Sequence, residues 1–134
     1  MSDNLKLVQY FFNEIFKNKI DNPERLSNLV TTQFSYYLNL GERKNFQQFA
    51  ARARFMNTVS NILYDKVTTE DDVFFITEFE VKLPKPNQHI KSVGFSQIEV
   101  SNGLIHQINI HYSKSDEELE EFQTFLGGGA TVFL

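Results

Sequence analysis

Between Leu5 and Ile20 the apolar residues Leu5, Val8, Phe11, Phe12, Ile15 and Phe16 recur at spacings of three and four. On a helix that spacing gathers them into one broad stripe facing a core, so a first helix is predicted there. In "DNPERLSNLV", Asn22 is placed as an N-cap and Pro23 at the first helical position, where its missing N–H is harmless. Leu26, Leu29 and Val30 then fall on one side, and a short second helix follows. The pattern changes period at "TTQFSYYLNLG", where Phe34, Tyr36 and Leu38 alternate with Gln33, Ser35, Tyr37 and Asn39 up to Gly41. Alternation with period two is that of a strand with one buried face. Asn45 and Gln48 have capping-box spacing, and Phe46, Phe49, Ala50, Ala53 and Met56 share a face, with Phe55 opposite, predicting a third helix.

Four strand patterns come next: "VSNILYDKVTTE", "DVFFITEFEVKL", "IKSVGFSQIEVS" and "GLIHQINIHYS". Turn signals separate them at Asp71-Asp72, at Pro84 to Asn87 and at Asn102-Gly103, and such close succession predicts an antiparallel meander. Ser115 and Glu118 again have capping-box spacing ahead of Leu119, Phe122, Phe125 and Leu126, which reads as a C-terminal helix. The last stretch, "GGGATVFL", has no periodicity. Residues 1–126 are expected to form a single α+β domain, with 127–134 as a tail.

Composition narrows the function classes. The 134 residues carry 17 acidic and 13 basic side chains, net −4, with no run of Lys and Arg able to neutralise a row of phosphates, so nucleic acid is not an expected partner. Neither a membrane-length apolar run nor a secretory leader pattern is visible, and a cytoplasmic location is expected. Zero Cys rules out disulfides, thiolate nucleophiles and Cys-based zinc sites. With no His/Asp triplet at helical spacing and no Gly-rich phosphate loop, neither a metal nor a cofactor is expected. Fourteen Phe and five Tyr make the core strongly aromatic, which suits a curved sheet better than a slim bundle.

The order helix, helix, strand, helix and four-strand meander resembles the cone-shaped α+β fold of the nuclear transport factor 2-like superfamily, with its SnoaL-like cyclases and ketosteroid isomerases. Two segments carry the resemblance: "YFFNEIFKNKIDNPERLSNLVTTQFSYYLN" at the front and "GFSQIEVSNGLIHQINIHYS" at the back. It implies a strongly bent sheet wrapped around the N-terminal helices, a pocket at the open end, and a homodimer paired through the sheet. The row Gln107, Asn109, His111, polar yet uncharged, suits such a contact. In the isomerases the resemblance would place a catalytic acid near Tyr37 to Asn39, a helix-one donor near Asn13 or Tyr10, and a protonated Asp near Ser96 or Gln97. None of those positions is acidic. Where SnoaL-like cyclases carry an acidic residue near the end of the last strand, this chain has "NIHYS", with His111 and no carboxylate before Asp116.

Candidate residues follow from the strand faces. Unbroken alternation in the last strand puts Leu104, His106, Ile108, Ile110 and Tyr112 on one face, and Ile105, Gln107, Asn109 and His111 on the other. His106 would then look into the cone unless a bulge resets the pattern, as a proton-transfer base or as a core histidine bonded to backbone. Asp65, grouped with Asn61, Leu63 and Val67, is a second candidate acid or base if buried, and a solvated turn residue if not. Tyr36 and Tyr112 could donate hydroxyls to a ligand, and Phe79 could line the same pocket. Glu78 and Glu80 share a face and read best as a solvated outer surface. The leading expectation is a domain that binds a small, largely apolar molecule. Its alternatives are a cofactor-independent isomerase, cyclase or dehydratase using His106 or Asp65 as base, and a structural dimerisation module with the cone plugged by Phe34, Phe75 and Phe79.

Overall fold

The fold is described for residues 2–83 and 91–112 of a computed structural model. The first helix, α1, spans Asp3–Phe12, opened by the Ser2 hydroxyl, which accepts from the Leu5 N–H. It does not run on as regular α-helix. Residues Asn13–Lys17 form a wider π-turn, closed by the Asn18 N–H donating to the Asn13 carbonyl at 2.8 Å. Phe11, Phe12, Ile15 and Phe16 are all buried, so two adjacent apolar pairs, one turn apart, must face inward together. The second helical segment, Pro23–Leu29, is a 3-10 helix with Pro23 at its start.

Strand β1 (Val30–Leu38) buries Phe34, Tyr36 and Leu38, as its alternation predicts. Helix α2 (Phe46–Val59) opens on the expected capping box, with Asn45 Oδ1 accepting from the Gln48 N–H at 2.9 Å and Gln48 Oε1 accepting from the Asn45 N–H at 2.8 Å. Strands β2 (Asn61–Tyr64), β3 (Thr68–Thr69), β4 (Phe74–Lys82), β5 (Lys91–Ser101) and β6 (Leu104–Tyr112) complete a six-stranded sheet. Its order is β1-β6-β5-β4-β2, with β3 also on β4; β1 pairs with β6 in parallel and the other pairs are antiparallel. The meander is therefore present, and its last strand returns to lie beside the first. Asn102 and Gly103 join β5 to β6 with φ of 54° and 76°, the left-handed pair a two-residue hairpin turn requires.

Val8 and Phe11 of α1, Ile15 of the π-turn, Phe49, Ala53 and Met56 of α2, and the inner face of the sheet share one core. Phe34, Phe75 and Phe79 all point into it. The expected C-terminal helix, the tail and the turn at Pro84 to Asn87 lie outside the described residues.

The bend before β4 is held by Asp71, whose Oδ1 accepts from the N–H groups of Phe74 at 2.9 Å and Val73 at 3.0 Å. These bonds, the one to Phe74 foremost, hold the Asp71 carboxyl below its ordinary value. A depressed carboxylate adds stability above its unfolded value, and that contribution disappears as pH falls through the folded value. Asp71→Asn should flatten the acid side of a stability-against-pH curve between roughly pH 2 and 5. Superimposable curves for the two proteins would show that the charge of the Asp71 carboxylate adds nothing to these bonds.

Candidate functional site

One row of residues crosses the inner face of the sheet: Tyr112 on β6 pairs with Gly94 on β5, Gly94 with Phe79 on β4, and Phe79 with Tyr64 on β2. Because Gly94 contributes no side chain, the Phe79 ring reaches across it to meet Tyr112 edge-on at 5.2 Å, while Tyr64 lies 5.6 Å away on the other side. Phe12 at the end of α1 and Phe16 of the π-turn extend the arc, 4.8 and 4.9 Å from Tyr64. Beyond Tyr64 a hollow of about 390 Å³ opens between that turn and β2, with Lys17 and Lys19 on its lining. The result is a buried wall of aromatic rings in mutual contact, with polar tips.

Helix α2 adds a cation. Arg52 is 4% exposed, and its Nη2 donates to the Tyr112 hydroxyl at 2.6 Å. Burial pushes the Tyr112 phenol up, and the Arg52 guanidinium only partly offsets it. Tyr64 is raised for the same first reason, opposed by its Ser96 contact at 3.4 Å and by Arg52; Tyr36, on the same side of β1, is raised by burial against the pull of Arg52. All three phenols are therefore neutral near pH 7 and able to donate. One inner row further along, Ser92 faces Val81, and its hydroxyl, in a residue 1% exposed, has no hydrogen-bond partner among the described residues.

Tyr36, Phe79 and Tyr112, singled out from sequence, thus come together around Arg52 and Tyr64. His106 does not join them. The ladder between β5 and β6 slips between Glu99 opposite Gln107 and Val100 opposite Ile105, so His106 is the extra residue of a bulge. Ile105, and not His106, is buried with Ile108, Ile110 and Tyr112. The His106 ring is half-buried, with Nδ1 2.9 Å from the Thr31 hydroxyl. Asp65 is likewise not a buried carboxylate: it is exposed just past β2, with Oδ1 accepting from the Lys66 N–H. His111 lies on the outer face, stacked on Phe95 at 4.8 Å. Among the described residues, no group of three potential metal ligands converges.

No family model and no curated protein matches this chain. Solved structures do. A protein from Jannaschia sp. CCS1, described as a SnoaL-like polyketide cyclase, superposes with a TM-score of 0.70 at 12% identity, covering 95% of this chain and 93% of its own. A nuclear transport factor 2-like protein of unknown function from Cytophaga hutchinsonii ATCC 33406 gives 0.65 at 10% identity, covering 87% and 94%. This chain has the nuclear transport factor 2-like fold. A de novo designed protein with a curved β-sheet is as similar, with a TM-score of 0.69 at 18% identity over 95% of this chain and 98% of that one. The likeness therefore speaks for the backbone and leaves the chemistry to the side chains.

Within the nuclear transport factor 2-like frame, the isomerase positions have other duties here. Asn39, at the end of the first strand, accepts the Tyr112 N–H at 2.8 Å through Oδ1, and Tyr10 of α1 is exposed. Ser96 faces inward beside Tyr64. Two residues of the row were not anticipated. Arg52 lies three positions after Phe49 and four before Met56, inside the apolar stripe of α2, where a charge is itself a signal. Tyr64 follows from pairing it with Ile62 as the inward set of β2.

Proposed function

We propose that this chain is a cytoplasmic binding domain that takes a small, largely apolar molecule into the cone, against Tyr36, Phe79, Tyr112 and Tyr64. The observation that carries this reading is the transverse row itself: aromatic faces for an apolar body, and convergent hydroxyls for one polar atom. The Ser92 hydroxyl, without a partner among the described residues, supports it, since a buried donor of this kind is what a ligand or water satisfies. Among the described residues the buried polar side chains are serines, Thr77 and Arg52, with no carboxylate or imidazole, which favours holding a molecule over moving protons.

The test is native mass spectrometry of the protein as purified from cells. A single small-molecule adduct, released on denaturation and identified, is the expected result. Protein that is repeatedly empty and that leaves the fluorescence of anilinonaphthalene sulfonate unchanged would count against the pocket.

An enzymatic reading, a cofactor-independent isomerase, cyclase or dehydratase, is supported by the neutral phenols of Tyr64 and Tyr112, which could donate to a carbonyl. Its base would be His106 or Asp65, acting from the bulge or from outside the cone. Turnover unchanged in His106→Ala, once a substrate is found, removes that residue from the reaction.

A homodimer belongs to the same proposal. Gln107, Asn109 and His111 stand half-buried and uncharged on the outer side of β6, a suitable centre for pairing through the sheet. His111→Asp should convert a dimer to monomer in sedimentation velocity; an unchanged coefficient would move the contact elsewhere.

A further inference from the structure

Away from the cone, the outer side of β2, β4 and β5 leaves Leu63, Phe74, Ile76, Val93 and Phe95 each between 40% and 45% exposed. Leu63, Ile76, Val93 and Phe95 surround a shallow basin of about 840 Å³. Carboxylates are interleaved with them by the strand register: Glu80 lies between Leu63 and Val93, Glu78 beside Phe95, and Glu99 beside Phe74. Asp65 closes the β2 side, and Glu80 also pairs with Lys82 at 3.8 Å. Residues 61–82 hold six acidic and two basic side chains, net −4, which is the net charge of the whole chain; the rest balances, with eleven of each sign. Asp65, Glu78, Glu80 and Glu99 stand on the face with the exposed apolar side chains, whereas Glu70, Asp71 and Asp72 lie in the turn between β3 and β4; solvation explains the carboxylates and not the apolar surface.

We propose that this face docks a short segment of a partner protein whose large apolar side chains alternate with Lys or Arg. The apolar side chains would fill the basin between Leu63, Ile76 and Val93, and the cations would meet Glu78 and Asp65. Charge selects against the other occupants. A second copy placed face to face would bring one carboxylate-bearing face against another, and nucleic acid or an anionic lipid surface would meet the same repulsion. The anchors and carboxylates of this face are not side chains of the aromatic row, although Tyr64, Phe79 and Gly94 of that row also line the basin.

The probe is a short synthetic peptide of alternating leucine and lysine, titrated at physiological salt into the isotope-labelled full chain and followed by amide NMR shifts. Shifts confined to the outer side of β2, β4 and β5 are expected, with no binding of the matching leucine–glutamate peptide. Leu63→Ser and Glu78→Lys should each weaken binding about tenfold, since one side removes an anchor and the other reverses a contact charge. Val93→Thr serves as a second anchor variant should Leu63→Ser fold poorly. Affinity unchanged in both anchor variants would reduce the effect to unspecific charge and overturn the proposal. So would shifts centred elsewhere, or self-association lost in Leu63→Ser, which would make a second copy the occupant.

Discussion

Gly94→Ala should leave little folded protein. A Cβ built at this position lies 2.1 Å from the His111 carbonyl oxygen and 2.9 Å from Cζ of Phe79. The first of these is backbone in the neighbouring strand, so relief requires opening the β5–β6 ladder, not merely turning a side chain. We expect a loss of about 3 kcal/mol or more, at the upper end of overpacking effects and a large part of the 5–15 kcal/mol that holds a domain of this size. Denaturant unfolding and soluble yield measure it. A wild-type midpoint would mean that the strands are not in this close approach, and with it would go the contact between Phe79 and Tyr112.

Arg52→Met should separate binding from stability. The guanidinium is taken out of water beside Tyr112, and Met of similar volume removes that desolvation cost while leaving the Tyr112 hydroxyl without this donor, a loss of about 1–3 kcal/mol set against it. The variant should therefore unfold within about 2 kcal/mol of the parent. Its retained molecule, by contrast, should be lost or its occupancy fall at least about tenfold, because the hydrogen bond that fixes the Tyr112 hydroxyl goes with the guanidinium. The Tyr112 phenol should titrate higher still, since the charge that lowers it has been removed. Arg52→Lys should not restore occupancy, as a point charge lacks the planar fork that reaches Tyr112. Full occupancy in Arg52→Met, read by native mass spectrometry, would place the ligand away from this row.

Much of the architecture was legible because it is local. The stripe of α1, the box at Asn45 and Gln48, the alternation through Phe34, Tyr36 and Leu38, and the Asn102-Gly103 turn each depend on neighbours a few positions away. His106 was misplaced because a bulge depends on the partner strand: nothing in "GLIHQINIHYS" marks which residue the ladder between Glu99 and Val100 leaves over. The site was half readable for the same reason. Tyr36, Phe79 and Tyr112 announce themselves as inward aromatics, but their meeting requires Gly94 to sit between two of them, which is a matter of register. Arg52 and Tyr64 do carry a local signal, the one a charge inside an apolar stripe and the other a place two positions after Ile62 on the inward side of β2.

The parallel pairing of β1 with β6 also sets the order in which the chain can assemble. Thr31 and His106, joined across this seam, are 75 positions apart. A nascent chain emerges N-terminus first, so β1 is synthesised long before the strand it must lie against. The meander from β2 to β6 can zip up through its own short connections, whereas joining β1 closes a long loop, a slow step for contacts of high sequence separation. Until then β1 presents an unpaired strand rich in aromatic residues, and during biosynthesis this is the segment most exposed to wrong partners and the one a chaperone would hold.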